Sequence, residues 1–208
     1  MKRNYFDTIG FSVSWFALIT QFVLMLQNRQ TDIIEMIIRF FSFFTILTNI
    51  LVALYFTVRI FKIKSNPLAF LYKTGSLTAI TVFILLVGIV YQVVLRSIWE
   101  PQGLQKIVDE LLHSIIPLFV FIYWFLFSNR DDTNFKSFKK WLAYPFIYFI
   151  FIAIRGSFSE FYPYPFVNSK EIGFLQTGIN FVLITVFIFF LFVNLFLISQ
   201  KIKNKIIN

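Results

Sequence analysis

The sequence predicts an all-α fold, a polytopic bundle of six transmembrane helices with both termini in the cytoplasm. Three observations carry that expectation. The 208-residue chain is 58% hydrophobic, with 31 Phe and only 14% charged residues, against roughly 25% in soluble domains. Its apolar residues fall in runs close to the ~20 residues that a helix needs to cross a bilayer. Its basic residues gather in alternate connections between those runs. A soluble globule of this length leaves too much area facing water to hide so much apolar surface. A disordered chain is excluded by the same hydrophobicity, and by only 7 Gly and 6 Pro.

The first span is expected at about 9–26. Lys2 and Arg3 before an apolar stretch resemble a signal peptide. The stretch is long, lacks a small-x-small cleavage site and precedes further spans, so it is read as a retained helix. The second span, about 36–60, is long enough to tilt. The others are expected at about 74–95, 107–127, 141–157 and 176–199. The fifth is short unless it takes in Lys139 or Ser157, and the sixth is the most apolar. The loops are short, so residues 1–208 read as a single integral membrane domain.

Charge then orients the spans. The N-terminus, the 59–73 loop, the 129–140 loop and the C-terminal tail hold 13 of the 19 Lys and Arg. Arg29, Arg39, Arg96, Lys106, Arg155 and Lys170 lie on the opposite side. The positive-inside rule places the larger set in the cytoplasm. A count of five or seven helices would mix the two sets. The Lys201–Lys205 tail reads as an anchor at the anionic inner leaflet. The net charge of +9 does not imply a nucleic-acid partner, because it is spread over loops rather than gathered on one face. The absence of Cys removes disulfides, thiol nucleophiles and thiolate metal sites.

Polar residues concentrate toward the outer side. In the second span, steps of three and four put Arg39, Ser42, Thr45 and Asn49 on one side of a helix, with Thr48 beside them. In the fourth, Asp109 and Glu110 precede His113 by four and three residues, so either carboxylate can sit beside the imidazole. Helical rise puts Thr45 and His113 at compatible depths if the two helices meet. Pro117 has no amide hydrogen, which frees the His113 carbonyl and predicts a kink there. Each feature also has a plainer reading. Ser and Thr in spans bond their own helix, a single His can be structural, and arginines can snorkel. Asp109 and Glu110 have stems too short to snorkel, which favours a polar chamber open to the outer face. The outer loop 156–171, with Tyr162-Pro163-Tyr164-Pro165-Phe166, is either a lid or an interfacial belt. One His and no Cys do not make a usual zinc set. A bis-His haem site, a phosphate loop and a dinucleotide fingerprint are absent as well, so neither a metal nor a cofactor is expected.

Several segments together carry a likeness. They are Phe43–Asn49, Asp109–Pro117, Trp141-Leu142-Ala143-Tyr144-Pro145, Arg155-Gly156 and Tyr162–Phe166. Over nearly its whole length the chain resembles the androgen-induced / FAR-17a-like family of six-helix membrane proteins, most closely its compact bacterial branch. Animal members hydrolyse fatty acid esters of hydroxy fatty acids within the membrane, using a threonine and a histidine. The resemblance implies Thr45 as nucleophile and His113 as its partner, with Thr48, directly before Asn49, in reserve.

Three functions follow as expectations. The first is a hydrolase of lipid or fatty-acyl esters. In it His113 activates Thr45, Asp109 or Glu110 orients the imidazole, and Asn49 or Ser42 donates to the oxyanion. Arg39 or Arg155 holds a lipid carboxylate or phosphate. The second is a non-enzymatic small transporter or lipid-binding protein, although no inverted repeat is visible. The third is an assembly protein whose outer polar residues face a partner. Bilayer lipid is the expected partner in the first two.

Overall fold

The computed structural model describes residues 3–63 and 67–207. Lys2, Lys64 and the side chains of Arg130, Lys203 and Lys205, all in the basic set counted above, lie outside the described residues. The helices are α1 (Arg3–Gln27), α2 (Ile33–Ser42), α3 (Phe44–Phe61), α4 (Ser76–Val90), α5 (Gly103–Glu110), α6 (Ile116–Phe127), α7 (Phe135–Trp141), α8 (Ala143–Ser159) and α9 (Ser169–Ile207). A π turn, Tyr91–Leu95, extends α4, and a second, Leu111–Ile115, joins α5 to α6. Among the described residues six helical stretches are long and apolar enough to cross a membrane. They are Arg3–Gln27, Phe44–Phe61, Ser76–Leu95, Gly103–Phe127, Phe135–Ser159 and Ser169–Lys201.

The bundle is organised around α4. Nearly every residue from Ser76 to Gly88 is buried, because the helix is apolar on all sides. Its few hydroxyls are satisfied internally. Thr81 donates to the Leu77 carbonyl at 2.8 Å, and Thr78 accepts from the Trp124 indole at 2.9 Å. Elsewhere the apolar faces turn outward, as with Phe174, Leu175, Val182, Leu183 and Val186 on α9. Such a surface is stable against lipid tails, where backbone groups must be paired within the helices themselves.

The structure departs from the sequence reading in the second span. A single helix over 36–60 is expected, but the chain breaks at Phe43, where φ is −81° and ψ is 123°. No proline or glycine marks the place. The groups opened by the break are answered from α8 and from the loop after it. Tyr148 donates its hydroxyl to the Ser42 carbonyl at 2.9 Å, and the Thr45 amide donates to the Tyr164 hydroxyl at 3.2 Å. The short helix α2 is therefore separate from the membrane-crossing α3, and Thr45 sits in α3's first turn.

Two prolines act differently. Pro145 lies near the start of α8 and cannot donate to the Trp141 carbonyl, and the fifth span is nicked there into α7 and α8. That span also begins earlier than 141 and includes Lys139. Pro117 does not break its helix. The chain takes up the lost hydrogen bond in the π turn just before it, and the span runs unbroken from Gly103 to Phe127.

Close packing of α1 on α3 depends on Gly10. A Cβ there would stand 2.5 Å from the Phe56 ring, which is fully buried. Gly10→Ala should cost about 1–3 kcal/mol through overpacking and lower the thermal midpoint in detergent. Gly178→Ala, which meets nothing within 4 Å, should leave that midpoint in place.

Candidate active site

One side chain of α3 ties it to the π turn between α5 and α6 by hydrogen bonds. Asn49 Nδ2 donates to the Thr45 carbonyl at 2.9 Å and to the Leu112 carbonyl at 3.3 Å. Two acceptors on one side fix the amide's orientation. The clamp brings Thr45 and His113 together, with Thr45 Oγ1 3.3 Å from His113 Nε2. His113 Nδ1 faces the Asp109 backbone carbonyl at 3.0 Å and Asp109 Oδ1 at 3.2 Å. Both groups are acceptors, so Nδ1 carries the hydrogen and the Nε2 lone pair of the neutral ring faces Thr45. Tyr91, at the opening of the other π turn, stacks on the imidazole with centroids 4.3 Å apart and planes 13° from parallel. The ring is thus held on one face and at both nitrogens.

Tyr164 completes the line. Its hydroxyl accepts from the Thr45 amide and lies 3.3 Å from Thr45 Oγ1. Burial raises its pKa above the ordinary value, against the pull of its bonds to Thr45, so it stays protonated and able to donate. With the Thr45 hydroxyl turned toward His113, donation runs from Tyr164 to Thr45 to His113, and from His113 to Asp109. The second Asp109 oxygen, Oδ2, is buried with no hydrogen-bond partner among the described residues.

These groups face a cavity of about 560 Å³, within the range of small-molecule sites. Arg39, Thr45, Tyr91, Asp109, His113 and Tyr164 line it together with Met36, Ile46, Leu95 and Trp99. Gln21, Asn28, Arg29 and Gln105 add polar groups. A smaller, apolar crevice of about 70 Å³ lies on the other side of Tyr164, walled by Val87, Val90, Phe149, Phe181 and Ile184. Thr45, Leu95 and Tyr164 border both spaces.

The other sequence candidates are placed elsewhere. Thr48, the reserve nucleophile, is fully buried and bonded to the Tyr144 hydroxyl at 2.9 Å, away from His113. Ser42 donates to its own helix at Ile38 and does not reach the cavity. Asn49 has both amide hydrogens engaged in the clamp, which leaves no donor for an oxyanion. Glu110 does not orient His113. It pairs with Arg96 and accepts from Ser114 at 2.6 Å, because the guanidinium on the neighbouring turn is the stronger partner. Arg155 does not line the cavity. Its Nη2 donates to Glu35 at 2.8 Å, and its Nη1 holds Ser159 and the Phe161 carbonyl. Arg39 bonds the same Glu35 oxygen at 2.7 Å, and the Phe161 ring lies under both guanidiniums, at 4.6 and 4.8 Å. This cluster secures the 160–165 loop over the cavity. Sequence reasoning missed Tyr91 and the Tyr164 hydroxyl as site groups. The available signal was that a tyrosine in an apolar setting needs a polar partner.

Among the described residues no group of three His, Cys, Asp or Glu is placed to hold a metal ion. No family model matches the sequence, and no curated protein or solved structure matches it. Fold and site alone therefore define the class. The chain is a multi-pass membrane protein with six helices long and apolar enough to cross a membrane, and with a mainly apolar, half-open cavity that Thr45, Asp109 and His113 help to line.

The Glu35 cluster carries a pH dependence. The hydrogen bond from Arg39, opposed by partial burial and reinforced by Arg155, holds the Glu35 carboxyl below its ordinary value. Its contribution is present above the unfolded value and lost as pH falls through the lower folded one. Glu35→Gln should reduce stability by about 1 kcal/mol at neutral pH. The gap in thermal midpoint from wild type should close once the pH is well below ~4.3.

Proposed function

We propose that this protein is an intramembrane hydrolase of lipid or fatty-acyl esters, with Thr45 as nucleophile, His113 as general base and Asp109 as the group that orients and balances the imidazole. The observation that carries this reading is the continuous line from Tyr164 through Thr45 and His113 to Asp109, set in a cavity of about 560 Å³. The likeness to the androgen-induced / FAR-17a-like family supports it. In the proposed cycle His113 Nε2 takes the Thr45 hydroxyl proton as Oγ1 attacks the ester carbonyl. The Tyr164 hydroxyl and the Thr45 amide, at the positive end of α3, donate to the oxyanion. The alcohol leaves with the proton from His113. Water, deprotonated by the same imidazole, then cleaves the acyl-threonine and releases the acid. Arg39 at the cavity wall would bind a carboxylate or phosphate on the substrate. The apolar crevice beyond Tyr164 would take acyl carbons. The chemistry needs no cofactor, and the partner is bilayer lipid.

Fluorophosphonate probe should label Thr45 and leave Thr48 free. Thr45→Ala and His113→Ala should each lower ester hydrolysis at least ~10²-fold, and Tyr164→Phe should lower kcat about 10²-fold. Thr48→Val should keep most activity. Unchanged hydrolysis in both Thr45→Ala and His113→Ala would sink the reading. One observation favours a second one. The 3.3 Å Thr45–His113 separation exceeds the ~2.6–3.2 Å of a working nucleophile–base pair. A non-enzymatic lipid-binding protein or small transporter needs no such bond. It predicts lipid binding or solute flux that survives Thr45→Ala.

Orientation follows from the basic residues. The end of the bundle carrying Arg3, Arg59 and Lys73 would face the cytoplasm, with both termini, and the cavity would open outward. The chain has no native Cys, so single cysteines report cleanly. A membrane-impermeant maleimide on intact cells should label Gln102→Cys and spare Asn134→Cys.

A further inference from the structure

The opposite end of the bundle holds a second polar space. A recess of about 190 Å³ lies among the start of α1, the end of α3, the connection into α4 and the end of α6. Thr45 and Arg59 are 14 residues apart on α3, so this recess is about 21 Å from the candidate active site. Arg3, Arg59 and Lys73 line it with Tyr72, Thr74 and Asn129. Asp132 is its only acid among the described lining residues.

The guanidiniums here are poorly answered by the protein. Arg59 Nε is enclosed and has no hydrogen-bond partner among the described residues. Its other nitrogens make long contacts, 3.6 Å to Asp7 Oδ2 and 3.5 Å to the Tyr72 hydroxyl. Charge-assisted bonds are normally near 2.7–2.9 Å. Arg3 uses Nε on the Tyr123 hydroxyl at 2.9 Å. The carboxylates are engaged elsewhere. Asp132 accepts from the amides of Gly75 and Asn129, and Asp7 from Tyr123. Donors thus converge on a space whose acceptors are already taken. An anion with several oxygens would supply what is missing, and the recess exceeds the roughly 30 Å³ of one liquid water several-fold. Its place where helices end is the depth of lipid headgroups.

We propose that this recess is an anion site for a phosphate group, either the headgroup phosphate of an anionic phospholipid or a soluble phosphate. Arg59 and Arg3 grip the oxygens, and Lys73, the Tyr72 hydroxyl and the Asn129 side-chain NH2 close over them. The site is separate from the ester cavity and does not depend on hydrolysis.

Two measurements on the full chain test it. In one, the protein is reconstituted in phosphatidylcholine nanodiscs doped with phosphatidylglycerol, and retained lipid is read by native mass spectrometry. In the other, inorganic phosphate replaces chloride at constant ionic strength in neutral detergent, and the thermal midpoint is followed. Wild type should retain phosphatidylglycerol over phosphatidylcholine or rise in midpoint with phosphate. Enrichment of the lipid identifies a headgroup, and a midpoint shift alone identifies a soluble phosphate. Either response should weaken about tenfold in Arg59→Gln. Lys73→Gln, at an exposed position, should weaken it too and guards against misfolding of Arg59→Gln. Lys201→Gln, at the same end but outside the recess, should not. Wild type showing neither response, or Lys201→Gln losing as much as Lys73→Gln, would overturn the proposal.

Discussion

The site depends on the side chain of Asn49. Its amide holds the Thr45 carbonyl on one helix and the Leu112 carbonyl on another. Both carbonyls belong to turns close to Thr45 and His113, so this one group helps set the axial register of the two side chains. The two Nδ2 hydrogens of this buried amide are both answered only if both carbonyls are presented together. A slip of one helix along the other would strand polar groups away from water, at a cost of roughly 1–3 kcal/mol each. The bond from Thr48 to Tyr144 fixes the same turn of α3 from the other side. Three consecutive polar positions of α3 thereby serve different ends. Thr45 faces the cavity, while Thr48 and Asn49 hold its helix in place.

The break at Phe43 gives that register its chemical meaning. An uninterrupted helix would keep the Thr45 amide inside a backbone ladder. The break turns it into a free first-turn donor at the positive end of a helix. Tyr164 caps this donor while also reaching the Thr45 hydroxyl. The loop that carries Tyr164 is in turn held down by Phe161 between Arg39 and Arg155, with Glu35 balancing both cations. Ion pairs at this end of the bundle therefore bear on the cavity through the loop, without touching Thr45 or His113.

The two ends of the molecule treat charge in opposite ways. Near Thr45, Arg39 and Arg155 share Glu35 and Arg96 pairs with Glu110, and the cavity is lined mainly by apolar and aromatic groups. Around Arg59 the acids mainly answer backbone amides and Tyr123, Asp7 reaches the guanidinium only at 3.6 Å, and Arg3, Arg59 and Lys73 line a recess.

Composition, run length and the segregation of Lys and Arg were enough for the six spans, because crossing a bilayer imposes its length and polarity on each segment separately. The polar residues of the second and fourth spans were also legible, since helical spacing alone aligns Thr45 with Asn49 and Asp109 with His113. The break at Phe43 was not legible, for it lacks proline or glycine and is held open by hydroxyls more than a hundred residues away in sequence. The same holds for the division of labour between Asp109 and Glu110, which turns on where Arg96 sits, and between Thr45 and Thr48, which turns on where Tyr144 sits. Local spacing decides which side chains share a helix face. Only the packing of helices decides which of them meets a base, a clamp or a cavity.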